Sequence, residues 1–257
     1  MGEQIELFNK MKQITPEERE QLEIDYWKIS ETESPDKLTV ENLINKMSEA
    51  EIFRLKVKRY QDLFNCSNTI LELGAGQGWA ACMLKSLSPD KTIYASDISE
   101  HAIISIKYWE DIFKAKIDKA FPCKSYAIPL KDGSVDLIYC FQSAHHFTKI
   151  KDTLCEIRRV LKKGGICLFL NEPSCRKYLY GFAYKRANKN RPDAPEDVLL
   201  YKDIEKTAKK EGYNIEVCFD PILIRRRPFE LIYYYILSKL KPLQHILPCS
   251  ADYIFRK

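Results

Sequence analysis

The sequence predicts an α/β fold. It reads as a mostly parallel sheet of seven strands with helices on both faces, preceded by N-terminal helices and carrying a helical, aromatic insertion before the last strand. From residue 68 onward, short apolar runs alternate with amphipathic stretches, the pattern of strands joined by crossover helices. A glycine-rich turn, Gly74-Ala75-Gly76-Gln77-Gly78, sits between the first such run and the helix after it. An aspartate, Asp97, closes the second run.

A chain of 257 residues can bury a sizeable core. Its 45% hydrophobic and 30% charged residues are ordinary for a globular protein, which argues against disordered and fibrous classes. A net charge of +5 is too small to argue for nucleic acid. The start, Met1-Gly2-Glu3-Gln4, lacks the basic and apolar regions of a secretory signal, and no apolar run reaches the roughly 18 residues of a membrane span. The nine cysteines are odd in number and never spaced Cys-x-x-Cys. A disulfide scaffold and a zinc cluster are therefore disfavoured, no metal is expected, and a reducing cytoplasm fits.

Residues 1–64 read as a helical extension or lid. Thr15-Pro16-Glu17-Glu18 supplies an N-cap, a proline at the first helical position and acids in the first turn. Residues 31–36 read as a loop, and a second helical pattern runs to about Phe64. Residues 65–257 read as the α/β domain, with insertions at about 172–195 and 221–250. Strands are expected over Thr69–Leu73, 92–96, 124–128, Val135–Phe141, 166–170, 213–219 and 251–256, the last antiparallel beside the fifth and sixth. Helices are expected over 78–87, 100–113, 150–161 and 198–210. In the third of these, Ile150, Leu154, Ile157, Val160 and Leu161 share one face, and Lys162-Lys163-Gly164-Gly165 ends it.

At the glycine turn the backbone must bend sharply and let a ligand approach closer than a Cβ permits. The N-terminus of the next helix is expected to offer free amide donors. The spacing is Gly-x-Gly-x-Gly, not the Gly-x-Gly-x-x-Gly of dinucleotide binders. Asp97, nineteen residues after Gly78, can accept hydrogen bonds from both hydroxyls of a ribose, and Ile98 is placed to pack on a purine.

Four segments in order resemble successive motifs of the class I S-adenosylmethionine-dependent methyltransferases. They are Glu72-Leu73-Gly74-Ala75-Gly76-Gln77-Gly78, Ala95-Ser96-Asp97-Ile98-Ser99, residues 128–138 (Ile-Pro-Leu-Lys-Asp-Gly-Ser-Val-Asp-Leu-Ile) and residues 156–165 (Glu-Ile-Arg-Arg-Val-Leu-Lys-Lys-Gly-Gly). The resemblance covers residues 68–171 and implies a Rossmann-like fold, S-adenosyl-L-methionine as cofactor and methyltransferase activity. By position it implies that Gly74, Ala75, Gly76 and Gly78 line the methionine moiety, with Glu72 near its amino group. Asp97 then holds the ribose, Ile98 the adenine, and Phe141 lies beside the sulfonium. Family members often carry an acid near the adenine, where this chain reads Cys123-Lys124-Ser125-Tyr126-Ala127. Ser125, Tyr126 and Ala127 are expected there, the adenine amino group finding a backbone carbonyl or the Ser125 hydroxyl. The alternatives are a nicotinamide oxidoreductase and a Rossmann-like domain that has lost its ligand.

After the fourth strand, Gln142-Ser143-Ala144-His145-His146-Phe147 faces the ligand side. A neutral imidazole can take a proton from an attacking hydroxyl, so His146, ahead of His145, is the candidate base. The alternative is that the pair packs under the cofactor. The strand end lacks the Asn/Asp-Pro-Pro-aromatic signature of adenine N6 methylation; Asn171-Glu172-Pro173-Ser174 reads first as a turn, with contact of Asn171 and Glu172 to an acceptor as the alternative.

Arg176, Lys177, Lys185, Arg186, Lys189 and Arg191 interleave with Tyr178, Tyr180, Phe182 and Tyr184. This stretch reads first as a solvated lid, then as a wall for an anionic substrate, and last as a nucleic-acid surface. Arg225-Arg226-Arg227-Pro228-Phe229 leads into residues 231–247, apolar and tyrosine-rich. Core packing or capping of the pocket ranks above peripheral membrane contact for them, and a dimer contact stays open. The expected reaction is O-methylation of a small-molecule acceptor, a sugar or a lipid-linked substrate, by a monomer or homodimer. RNA methylation and non-catalytic S-adenosylmethionine binding are the competing classes.

Overall fold

The structure is a computed structural model, and it describes residues 14–37, 39–188, 196–224 and 226–257. Lys189, Arg191 and Arg225 of the basic runs, and the N-terminal residues 1–13, lie outside them. Along the described chain come α1 (Pro16–Ile29), α2 (Val40–Arg59), α3 (Gln61–Asn65), β1 (Thr69–Leu73), α4 (Trp79–Leu87) and β2 (Thr92–Asp97). Next are α5 (Glu100–Ile104), α6 (Ile106–Phe113), β3 (Lys119–Pro122), β4 (Val135–Phe141), α7 (Ile150–Val160) and β5 (Leu161–Cys175). The remainder is α8 (Tyr180–Ala187), β6 (Leu199–Leu200), α9 (Tyr201–Lys210), β7 (Asn214–Phe219), α10 (Pro228–Lys239), α11 (Lys241–Gln244) and β8 (Cys249–Arg256).

Seven strands form one path in the order β3-β2-β1-β4-β5-β8-β7, and the two-residue β6 pairs with the end of β5. Strands β1 to β5 run parallel to their neighbours, while β8 is antiparallel to both β5 and β7. The strand order reverses between β1 and β4. In open α/β sheets that switch point opens a crevice at the carboxyl ends of the strands.

Alternation along the strands builds two cores, one on each face. Ile70, Leu137, Tyr139 and Leu168 pack with Phe53, Trp79 and Ala80 on one side. Leu71, Ile138, Cys140 and Phe169 pack with Leu154, Ile157 and Ile204 on the other.

Several expected elements move. The third strand is Lys119–Pro122, not 124–128; at this sheet edge only Phe121 faces inward, so no apolar run marks it. Residues 124–127 instead make a turn in which the Ala127 amide donates to the Lys124 carbonyl at 2.9 Å. The helix over 100–113 breaks at Ser105, whose hydroxyl donates to the Ala102 carbonyl at 2.6 Å. The start of the 198–210 helix is β6, and the helix proper begins at Tyr201. Gly78 caps α4 in a left-handed conformation (φ 77°) and is not its first residue.

The N-terminal helices attach differently from one another. Helix α1 starts with a capping box between Thr15 and Glu18. It has no apolar stripe and docks through polar groups. Its buried Glu20 accepts from Tyr126 at 2.9 Å and Thr148 at 2.8 Å, and pairs with Lys124 at 2.8 Å. Helix α2 inserts Phe53 into the core and buries Lys56, whose Nζ lies 2.7 Å from Asp252 and 2.7 Å from Asp220. Tyr60 donates to the same Asp252 at 2.8 Å. Removing one partner of a buried pair strands the other charge. Lys56→Met is therefore expected to cost about 3–5 kcal/mol in urea unfolding, far more than removal of the exposed Arg54.

Candidate active site

A cavity of about 370 Å³ opens at the carboxyl ends of β1 and β4, within the size range of ligand pockets. The glycine turn forms its floor. Gly74 and Ala75 amides both donate to the Ser96 carbonyl at 2.9 Å, and Gly78 donates to Ala75 at 2.8 Å. Gly76 donates to Asp97 Oδ2 at 2.8 Å. These four amides are thus committed inside the protein. What the glycines provide is space and a left-handed backbone. A Cβ on Gly74 (φ 77°) would lie 2.7 Å from Ser143 Cβ, and one on Gly76 (φ 53°) 2.5 Å from Trp27 Cη2.

Among the predicted residues, Glu72, Gly74, Ala75, Gly76, Asp97, Ile98, Ser125, Tyr126, Phe141, His145 and His146 line this cavity. Gly78 and Ala127 do not. Gly78 packs beneath the turn, where a Cβ would run into Ile106. Ala127 is exposed in its turn. The Ser125 hydroxyl, expected at an adenine, shares a hydrogen bond of 2.8 Å with Thr153. The Tyr126 hydroxyl is bound to Glu20.

The cavity is acidic: seven carboxylates line it against two cations, Lys46 and Arg226, among the described residues. Glu72 is buried with Oε2 unpartnered, and burial pushes its carboxyl up to about 8. Burial also raises Asp97 to about 6, against the amides of Ser99 and Gly76 that stabilise its charge. Gln142 Nε2 and Asn171 Oδ1 are likewise buried without partners, and both residues line the cavity. Each holds a positive φ, 51° and 58°, a conformation that side-chain-bearing residues adopt at a cost. Unpaired buried polar atoms are rare in native proteins because each forfeits a hydrogen bond. Here three of them converge on one cavity. An ammonium or sulfonium, with hydroxyl and amino groups nearby, fits this donor and acceptor set.

The two histidines occupy a short 3-10 turn, Ala144–His146, after β4. The turn is fixed from the neighbouring strand. Glu172 of β5, fully buried, accepts from the amides of Ser143 at 3.0 Å, Ala144 at 2.9 Å and His145 at 3.2 Å. It also lies 2.7 Å from His145 Nδ1. Residues 171–174 are therefore strand, not the expected turn. His145 Nε2 is 2.6 Å from Glu196, so both its nitrogens face carboxylates. His146 is looser: Nδ1 lies 3.3 Å from Glu23, Nε2 lies 3.3 Å from Glu196, and 28% of its side chain is exposed. Burial holds its pKa below the ordinary 6.5. The ligating atoms of His145, His146 and Glu196 lie within 4.8 Å of one another, a donor set that can also hold a divalent ion.

Sequence reasoning missed Glu23, Trp27 and Glu196, and it took Glu172 for part of a turn or an acceptor contact, not for the residue that holds the histidine turn. For the first two a signal existed. Glu20, Glu23 and Trp27 recur at i, i+3 and i+7, one face of α1, and all three line the cavity.

Residues 71–169 match the family described as a methyltransferase domain. An uncharacterized methyltransferase of Schizosaccharomyces pombe is 40% identical over 107 residues, 39% of this chain and 38% of that protein. O-methyltransferase 3 of Dictyostelium discoideum is 33% identical over 138 residues, 49% of this chain and 31% of that protein. The chain thus spans well under half the length of these curated relatives. In fold it is similar to the crystal structure of a SAM-dependent methyltransferase from Archaeoglobus fulgidus, with a TM-score of 0.58 at 13% identity over 85% of this chain and all of that one. Residues 71–169 thus match a methyltransferase domain, on a fold shared with a SAM-dependent methyltransferase.

Glu172→Ala would leave three amides and an imidazole N–H facing a void. The expected cost is about 3 kcal/mol or more in urea unfolding, and Glu172→Gln, which keeps one acceptor oxygen, should lose less.

Proposed function

We propose that this chain methylates a hydroxyl of a small, uncharged acceptor, with His146 receiving the hydroxyl proton. When bound, S-adenosyl-L-methionine supplies an electrophilic methyl group on a sulfonium. The observation that favours this reading is a neutral, partly exposed imidazole in the same cavity as the glycine turn. A base must be unprotonated at working pH and within reach of the acceptor, and burial keeps His146 in that state. His145, with carboxylates on both nitrogens, acts as a positioning residue. The O-methyltransferase relative supports the choice of oxygen, and the acidic lining disfavours an anionic acceptor.

In this reading Glu72 receives the cofactor's ammonium, which would draw the raised carboxyl back to its charged form. Gly74, Ala75 and Gly76 lie along the methionine, Asp97 accepts from the ribose hydroxyls, and Ile98, Ser125 and Tyr126 flank the adenine. Phe141 gives the sulfonium an apolar wall. The described part of residues 1–64 acts as a lid, with Glu23 and Trp27 closing the cavity from α1. Holding both reactants in one dry cleft can supply about 7–11 kcal/mol of the barrier.

Asp97 accepts hydrogen bonds from a ribose best when ionised. Its folded pKa is about 6 against 3.8 for the free side chain, so ionisation costs folding stability between those values and above. Cofactor affinity measured by calorimetry should weaken as the pH falls from about 8, where Glu72 must give up its proton to meet the ammonium, and weaken further through about 6, where Asp97 protonates. Asp97→Asn at neutral pH should reproduce that loss, about 10- to 100-fold. Unchanged affinity would count against the ribose contact.

The rate should fall on the acid side with a midpoint below 6.5, because protonated His146 accepts no proton. His146→Asn should reduce kcat by about 10²–10⁴-fold and abolish that limb. Chelation should leave the wild-type rate unchanged. A chelator-sensitive rate restored by a divalent ion would assign the cluster to a metal instead.

A further inference from the structure

Helix α10 buries only a narrow face. Leu237 is fully buried, and Tyr233 and Tyr234 are half-buried. The rest is apolar and open to solvent: Phe229 is 88% exposed, Ile232 58%, Tyr235 53%, and Leu231 and Ile236 43% each. At 3.6 residues per turn, Phe229, Ile232 and Ile236 form one stripe along the helix. Helix α8 lies alongside, its Arg186 guanidinium 4.3 Å from the Tyr233 ring, and adds exposed Phe182. Scattered exposed apolar residues need no explanation, but a contiguous set this size marks a surface that meets something.

Charge says what that something is. In residues 226–247 the one acid is Glu230, which faces Arg186 at 3.9 Å. The bases Arg226, Arg227, Lys239 and Lys241 stand at the two ends of the helix. A second copy of this face would bring like charges together, whereas anionic headgroups complement it. Apolar side chains on the long axis of a helix with cations at its ends suit a lipid interface. No helix among the described residues is long and apolar enough to cross a membrane, so contact here is with the surface.

We infer that α10 docks the protein onto an anionic lipid bilayer. Arg226 and Tyr234 of the same segment line the cavity, so docking brings the cavity mouth to the bilayer. Resting on the methyl-transfer reading, the acceptor is then a molecule that partitions into the bilayer.

The full chain is sedimented with vesicles of phosphatidylcholine alone and of phosphatidylcholine mixed with phosphatidylglycerol. Binding should be confined to the mixed vesicles and fall as salt rises, because the Debye length shrinks. Lys239→Ala and Lys241→Ala should each weaken it about fivefold. Phe229→Asp combined with Ile232→Asp should reduce it at least tenfold while leaving cofactor affinity unchanged, which certifies the fold. Absence of binding to the mixed vesicles, or equal binding by the double variant, overturns the proposal. So does a concentration-dependent dimer that the double variant disperses without any vesicle binding, which would make a second copy the occupant. Vesicle binding is read without turnover, so its failure leaves the methyl-transfer reading standing, and a failure of turnover leaves the docking result intact.

Discussion

A single carboxylate in the middle of the sheet sets the geometry of the reactive end of the site. Glu172 is fully buried on β5 and holds three consecutive amides and an imidazole nitrogen of the turn after β4. Charge-assisted hydrogen bonds are stronger than neutral ones, and in a dry interior they are stronger again. The turn is therefore held by strand geometry and not by its own sequence. With Nδ1 of His145 facing Glu172, Nε2 faces Glu196, and Glu196 in turn stands beside His146. Each group is positioned by the one before it, back to a residue locked in a sheet. One residue earlier, the Asn171 amide donates to Asp252 at 2.8 Å, the carboxylate that also pairs with Lys56. Two successive positions of β5 are thus fixed by buried charge, at the point where its register with β8 shifts.

The parts of the fold legible from sequence were those with periodic apolar patterning. β1 and β4 run as expected because their side chains are buried on both faces, which produces continuous apolar runs. The edge strand β3 had one inward residue and gave no run. Asn171-Glu172-Pro173-Ser174 read as a turn because local preference favours turns for asparagine and proline. A tertiary bond to Glu172 overrides that preference, and such bonds have no local signature. The glycine turn and Asp97 were legible because close approach and a strand-end carboxylate are local requirements. Glu196 was not, since its meeting with His145 spans 51 residues. Ala127 was misplaced for the same reason as β3: once the strand ends at Pro122, the next residues form a turn that directs Ala127 outward.

The commitment of the turn amides changes how recognition must work. If Gly74, Ala75, Gly76 and Gly78 donated to a ligand, an anion would be favoured at the helix start. With those donors turned to Ser96, Asp97 and Ala75, the polar atoms left facing the cavity are mostly carboxylates. Burial raises the carboxyls of Glu72 to about 8 and Asp97 to about 6, and a cationic ligand would favour the charged form of both. The same Rossmann-like architecture that elsewhere cradles a pyrophosphate is here electrostatically arranged for a cation. This is the physical content behind the Gly-x-Gly-x-Gly spacing.

Helix α1 reaches all three parts of the site. It lacks an apolar stripe, so its attachment rests on Glu20 with Tyr126, Thr148 and Lys124, on Glu23 with His146, and on Trp27 over Gly76. Polar contacts of this kind exchange with water at small net cost. An apolar face would have fixed the helix permanently. The same three residues line the cavity and touch the turn of residues 124–127, the imidazole pair and the glycine turn in sequence. Through Glu23, α1 also sets the electrostatics of His146: that carboxylate pulls the imidazole's pKa up, and burial outweighs it.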